Sequence, residues 1–109
     1  MIDHEFFKNC GLICLNEEDA RHGFEEFYRW TFPGLEYDWV IKSARSNTIL
    51  MTTEFLIISH EIKTASLQDY RCETPEDLNE LRNIIFKLNQ KFKQLRERML
   101  LEAINNDFH

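Results

Sequence analysis

The sequence predicts an α+β fold, with a small antiparallel sheet of three to four strands between N-terminal helices and a long C-terminal amphipathic helix. Apolar residues recur at spacings of three and four in the last third of the chain, and the middle third alternates as strands do. Because the strands follow one another without intervening helices, the sheet should be antiparallel. We expect one domain over residues 1–109, with an acidic helical part at 1–34, strands at 35–72 and the long helix at 74–108.

The N-terminal part predicts two helices. Asp3 can cap a first helix over residues 4–9, and the apolar residues 11–15 are compatible with a short strand. Asn16 can cap a second helix that has three carboxylates in its first turn, and Pro33-Gly34 is expected to end it. One face of this helix is expected to be buried, namely Ala20, Phe24, Phe27 and Tyr28.

After residue 34, the spacing of the apolar residues changes from a helical period to that of a strand. Apolar side chains alternate as on a strand with one better-buried face, at Tyr37, Trp39 and Ile41. Residues 45–47 have the composition of a hairpin turn. Residues 48–62 are β-branched and apolar, which predicts either one long strand or two shorter strands hinged near Thr52-Thr53. Residues 65–72 predict a further strand.

The last helix has the clearest signals. Thr74 is the predicted N-cap, followed by Pro75 at the first helical position and Asp77 at the third. A helix from Pro75 to about Asp107 would be ~50 Å long, whereas a compact chain of this size has a diameter of roughly 35 Å. The helix should therefore bend, or its far end should project and pack against something else. Its apolar seam is Leu78, Leu81, Ile85, Leu88, Phe92, Leu95 and Met99.

The charges beside this seam disfavour self-association along it. With Leu78 at heptad position a, the charged flanking residues are all basic: Arg82, Lys91, Arg96 and Arg98. Either orientation of a seam-to-seam homodimer would place like charges together. Beyond Met99 the apolar residues move to a different side of the helix. We therefore expect a homodimer through the C-terminal end, using Leu100, Leu101, Ile104 and Phe108.

Composition limits the class of protein and its partners. The net charge of −6 disfavours binding to membrane surfaces and direct binding to nucleic acid. Three cysteines form no paired framework, and no apolar run has the length of a signal or membrane-spanning segment. We expect a cytoplasmic protein.

The acidic first half suggests a basic protein partner. Residues 1–40 hold nine carboxylates against three Lys and Arg residues, while the long helix is basic. This contrast has three interpretations: the basic rim packs on the chain's own acidic helix, the outer seam receives another chain, or the cations form a nucleic-acid stripe, which the net charge opposes. The acidic residues and two aromatic residues beside the Pro-Gly turn are the candidate partner-binding residues: Glu17, Glu18, Glu25, Glu26, Trp30 and Phe32. For the aromatic residues the alternative is a packed core corner.

The sequence provides little catalytic or metal-binding chemistry. Cys10 and Cys14 form a single CxxxC without a nearby histidine pair, which is weak evidence for zinc. His60 is interpreted as a partly buried histidine on a strand, sharing a face with Ile58 and Ile62, rather than as a general base. The glycines are isolated, so no phosphate-binding loop is predicted. We expect no cofactor and no enzymatic activity.

Two functions remain open. The first is a non-enzymatic adaptor, regulator or inhibitor that occupies a surface on a macromolecular partner. In one version of it, carboxylates imitate nucleic-acid phosphates, as in small acidic inhibitors from phages and mobile elements. The second is a small-ligand-binding domain or small enzyme with a pocket at the aromatic corner between sheet and helices, using Tyr28, Tyr37 or His60 as polar groups.

Overall fold

The described residues form three helices and five strands. A computed structural model describes residues 3–35, 37–44 and 47–107. The elements are α1 (His4–Asn9), β1 (Ile13–Cys14), α2 (Glu17–Arg21), β2 (Tyr28–Thr31), β3 (Ile41–Ser43), β4 (Thr48–Ile58), β5 (Glu61–Arg71) and α3 (Pro75–Asp107).

The strands form one antiparallel sheet in the order β1-β2-β3-β4-β5, which confirms the predicted α+β class. The predicted number of three to four strands was too low, because this sheet has five. The additional strands, β1 and β2, lie in the N-terminal part. The short strand expected within residues 11–15 is present as Ile13–Cys14, whereas β2 was not expected.

The second helix was predicted too long. α2 ends at Arg21, and residues assigned to its continuation form β2, which pairs with β1 and β3. The Asn16 side chain makes no capping bond. Instead its Oδ1 accepts from the Arg29 backbone N–H at 2.7 Å and its Nδ2 donates to the Phe27 carbonyl at 2.8 Å. These bonds tie the segment before β2 to the residue that precedes α2.

β4 and β5 form a long hairpin of 11 residues a strand. Ile58 pairs with Glu61, so the loop is two residues long, and Ser59 and His60 adopt φ values of 53° and 65°. Positive φ at both positions is typical of a type I′ turn. Since His60 is in this turn and exposed, the prediction of a partly buried strand position was wrong.

The hairpin departs from regular geometry at its centre. The Thr52 hydroxyl donates to the Ala65 carbonyl at 2.7 Å and accepts from the Ala65 N–H at 3.2 Å, and Ser66 has a φ of 54°. Pairing continues on both sides of this point, so β4 is one strand rather than two. Residues 45 and 46 of the predicted 45–47 turn lie outside the described residues, and the flanking β3 and β4 pair antiparallel.

α3 confirms the prediction for the last helix. The Thr74 hydroxyl accepts from the Asp77 N–H at 3.2 Å, and the Asp77 carboxylate accepts from the Thr74 N–H at 3.1 Å. This is a reciprocal capping box. The seam packs on the sheet, with Leu81, Ile85, Leu88 and Phe92 buried. The molecule measures 52 × 32 × 23 Å, so one dimension is close to the helix length of ~50 Å.

Candidate interaction surfaces

The aromatic corner is a packed part of the core. Trp30 and Phe32 have no exposed surface, so their interpretation as surface anchors was wrong. The Trp30 ring stacks on Phe7 at a centroid distance of 4.9 Å, and its Nε1 donates to the Ser43 hydroxyl at 3.0 Å. Phe32 stacks on Phe92 of α3 at 6.0 Å. The rings hold β2 against α1 and α3.

Two neighbouring aromatic residues expected in the core lie on the surface instead. Phe24 is 80% exposed and Phe27 is 43% exposed, because the helix that was to bury them ends at Arg21. The Lys42 ammonium lies 5.9 Å from the Phe27 ring centroid and 4.7 Å from that of Trp39. This cation–π cluster covers part of the sheet face opposite the core.

Ion pairs partly neutralise the acidic surface. Glu17 pairs with Lys8 at 3.5 Å, Glu18 with Arg21 at 2.7 Å and Glu25 with Arg29 at 3.3 Å. Glu25 also accepts a hydrogen bond from Asn16, so it supports the local fold. Glu26 and Asp19 are exposed and have no ion-pair partner among the described residues. Their charges are therefore not neutralised by a neighbouring cation in the described structure.

Two basic side chains of α3 lie against aromatic rings. The guanidinium of Arg82 lies 5.5 Å from the Phe6 ring centroid, and that of Arg96 lies 5.6 Å from the Phe92 centroid. Within the described parts of the chain, no ion pair joins α3 to the acidic N-terminal residues, so the expected pairing of charges between the basic rim and the acidic helix is not formed. Lys87, Lys91, Lys93 and Arg98 are exposed to solvent.

One end of the molecule exposes many large apolar side chains, which we call the distal end. Leu100 and Leu101 are each 61% exposed and Ile104 is 51% exposed, while Phe108 lies outside the described residues. The tip of the β4–β5 hairpin adds the exposed residues Leu56, Ile57 and Ile58, which the sequence did not single out. Contiguous exposed apolar patches are typical of interaction sites.

A groove of about 300 Å³ lies at the same end, between α3, the hairpin tip and the loop after β2. Leu35, Ile62, Phe92 and Met99 supply apolar walls, and Tyr37, His60 and Arg96 are at its polar rim. Gly34 has a φ of +96°, and a Cβ there would collide with the Arg96 guanidinium. The positive φ favours glycine at this position, whereas the Arg96 guanidinium is the end of an exposed side chain that can move aside.

The reactive groups of the chain do not converge. Burial raises the pKa of the Cys10, Cys14 and Cys72 thiols, which opposes thiolate formation. His60 lies in the β4–β5 turn, whereas Cys10 ends α1, Cys14 is in β1 and Cys72 follows β5. Among residues 3–35, 37–44 and 47–107, no group of three or more His, Cys, Asp and Glu residues is arranged to hold a metal ion.

The comparisons with known proteins found no matching family model, no matching curated protein and no matching solved structure. In the described part of the chain, no helix is long and apolar enough to cross a membrane.

Proposed function

We propose that the protein is a non-enzymatic binding protein, a regulator, adaptor or inhibitor that occupies a surface on a macromolecular partner. The observation that supports this proposal best is the distal end, where Leu100, Leu101 and Ile104 remain exposed on an ordered helix beside an apolar hairpin tip. The packed aromatic corner also favours binding by a surface over binding in a central cavity.

The partner is proposed to be a basic protein that meets the acidic surface. Glu26 and Asp19 are the principal contacts in this proposal, with Glu17 and Glu18 contributing through the net negative field. Glu25 is better suited to holding Asn16 and Arg29 in place than to binding a partner. Because three of the carboxylates are paired within the chain, imitation of nucleic-acid phosphates is the weaker version of this proposal.

Self-association at the C-terminal end of α3 remains part of the proposal. It uses Leu100, Leu101 and Ile104, whose exposure leaves them available to a second copy of the chain. The cytoplasm is the proposed compartment, in keeping with three free cysteines.

The test uses the full chain as bait in native lysate, followed by binding kinetics with the purified partner. Glu26→Lys and Asp19→Lys should lower the association rate, and added salt should lower it for the wild type. Glu102→Lys, on α3, is the control of equal charge change. A salt-independent association rate, or equal effects of all three substitutions, would contradict a role for the acidic surface.

A second candidate function is favoured by the groove, which brings Tyr37 and His60 beside an apolar floor. Its volume of about 300 Å³ is at the lower limit for small-ligand sites. Screening a small-molecule library by NMR would test this function, because a ligand in the groove shifts the amide signals of Leu35 and Ile62. Consumption of any substrate by the pure protein would overturn the non-enzymatic proposal.

A further inference from the structure

α3 carries a second regular stripe of side chains besides its buried seam. We call it the free stripe, and its members are spaced alternately four and three residues apart. Because each residue of a helix turns the chain by about 100°, the stripe lies roughly 120° around the helix axis from the seam. All of its members are exposed. They are Phe86, Gln90, Lys93, Glu97, Leu100 and Ile104.

When two copies of this stripe run in opposite directions, opposite charges meet at its centre and apolar residues meet at its ends. Two helices that cross antiparallel, centred between positions 93 and 97, place Lys93 of each copy against Glu97 of the other. The same register places Phe86 against Ile104, and Gln90 against Leu100. A twofold axis makes every one of these contacts twice.

We propose that two copies of the chain associate through the free stripe as an antiparallel helix pair. The proposal rests on the self-association proposed above and gives it an orientation and a register. It extends the contact from the C-terminal end to Phe86, about 27 Å along the helix at ~1.5 Å per residue. It does not depend on the basic partner.

Charge complementarity selects a second copy in this orientation. Among the described residues, neither Lys93 nor Glu97 has an ion-pair partner within its own chain, so both are available across an interface. A parallel pair in register would place Lys93 against Lys93 and Glu97 against Glu97, which is repulsive. The buried seam is occupied by the sheet, so it cannot compete for the second copy.

The apolar side chains at the ends of the stripe contribute buried apolar surface to the dimer, which exposed ion pairs do not. Phe86 and Leu100 each expose 61% of their surface and Ile104 exposes 51%. Removing these side chains from water on both copies stabilises the pair, while the central charges fix its register.

Sedimentation velocity on the full chain at micromolar concentration tests the proposal. Lys93→Glu and Glu97→Lys should each weaken the dimer about tenfold, because each substitution creates two like-charge contacts across the interface. Each also creates a like-charge i,i+4 pair within each helix, so circular dichroism is used to check that the helix is kept. The double variant, Lys93→Glu with Glu97→Lys, should recover wild-type association. Lys87→Glu, an equal charge change at an exposed position outside the free stripe, should have little effect.

Phe86→Ser and Leu100→Ser distinguish a dimer formed through the whole free stripe from a dimer formed only through the C-terminal end of the helix. Both should weaken the dimer, with circular dichroism confirming that each variant keeps its helix. A dimer that Leu100→Ser weakens and Phe86→Ser does not would overturn the stripe and leave self-association intact. A monomeric wild type, or a double variant as weak as the single ones, would also overturn the stripe, and neither result bears on binding of a basic partner.

Discussion

The Asp38 carboxylate holds Thr64 by two hydrogen bonds, although the residues are 26 positions apart. Its Oδ2 accepts from the Thr64 backbone N–H at 3.1 Å and from the Thr64 hydroxyl at 2.7 Å. Thr64 is on β5, an edge strand, whose backbone donors on the side away from β4 lack a neighbouring strand. Asp38 therefore satisfies an edge donor and fixes the loop after β2, which forms one wall of the groove.

Asp38→Ala should destabilise the protein by about 1–3 kcal/mol, because the Thr64 N–H loses its acceptor. Urea unfolding followed by circular dichroism measures the change. Asp69→Ala, on the same edge strand but with no hydrogen bond of this kind among those described, is the matched control. Equal losses for the two variants would show that the Asp38 bonds contribute nothing specific.

Because of the capping box of α3, the stability of the protein should fall at acid pH. The backbone N–H groups of Glu73 and Thr74 donate to Asp77 and lower the pKa of its carboxyl below the ordinary value of 3.8. A carboxyl whose pKa is lower in the folded state contributes stability above the ordinary pKa and loses it as pH falls through the folded value. Unfolding midpoints measured from pH 6 to pH 2 should therefore fall less steeply for Asp77→Asn than for the wild type.

The cap itself can be tested apart from the charge. Thr74→Ala removes the acceptor of the Asp77 N–H and should cost about 1 kcal/mol at neutral pH, as measured by urea unfolding. Thr74→Ser retains the hydroxyl and should lose much less. An alanine variant as stable as the serine variant would contradict the assigned cap.

The buried seam predicts a large difference between two leucines of the same helix. Leu88 is 5% exposed and Leu101 is 61% exposed. Leu88→Ala should destabilise by about 2–5 kcal/mol, and Phe92→Ala similarly, since each leaves a cavity. Leu101→Ala should change stability by less than about 0.5 kcal/mol when measured well below the concentration of self-association. Similar losses at Leu88 and Leu101 would contradict the packing of α3.

The tip of the β4–β5 hairpin offers a stabilising change. Ser59 and His60 have φ values of 53° and 65°, which Asn and Gly adopt more readily. Ser59→Asn combined with His60→Gly should raise the free energy of unfolding by up to about 1 kcal/mol. Thermal unfolding that shows a loss of stability would contradict the turn type.

The parts of the fold that the sequence predicted correctly have local signals. Thr74, Pro75 and Asp77 mark the start of α3 without reference to any distant residue, and the seam spacing marks its buried face. Asp3 likewise caps α1, where it accepts from the Phe6 N–H at 3.0 Å.

The parts of the fold that the sequence did not predict depend on contacts between residues far apart in the chain. β2 exists because residues 28–31 pair with β1 and β3, and the capping and acidic residues before it favoured a longer helix locally. Trp30 and Phe32 became core residues as a consequence, while Phe24 and Phe27 became exposed. The groove unites three separate segments, so no single stretch of sequence indicates it. The free stripe does have a periodic signal, but only the structure establishes that its residues are exposed.

Recovery of a basic partner at two salt concentrations tests the proposed function most directly. Wild-type bait and the Asp19→Lys, Glu26→Lys double variant are compared in the same native lysate, with a Glu102→Lys bait as control. The proposal predicts one stoichiometric basic protein with wild type and control at low salt, lost at high salt and lost with the double variant. Equal recovery by all three baits at both salt concentrations would contradict binding through the acidic surface.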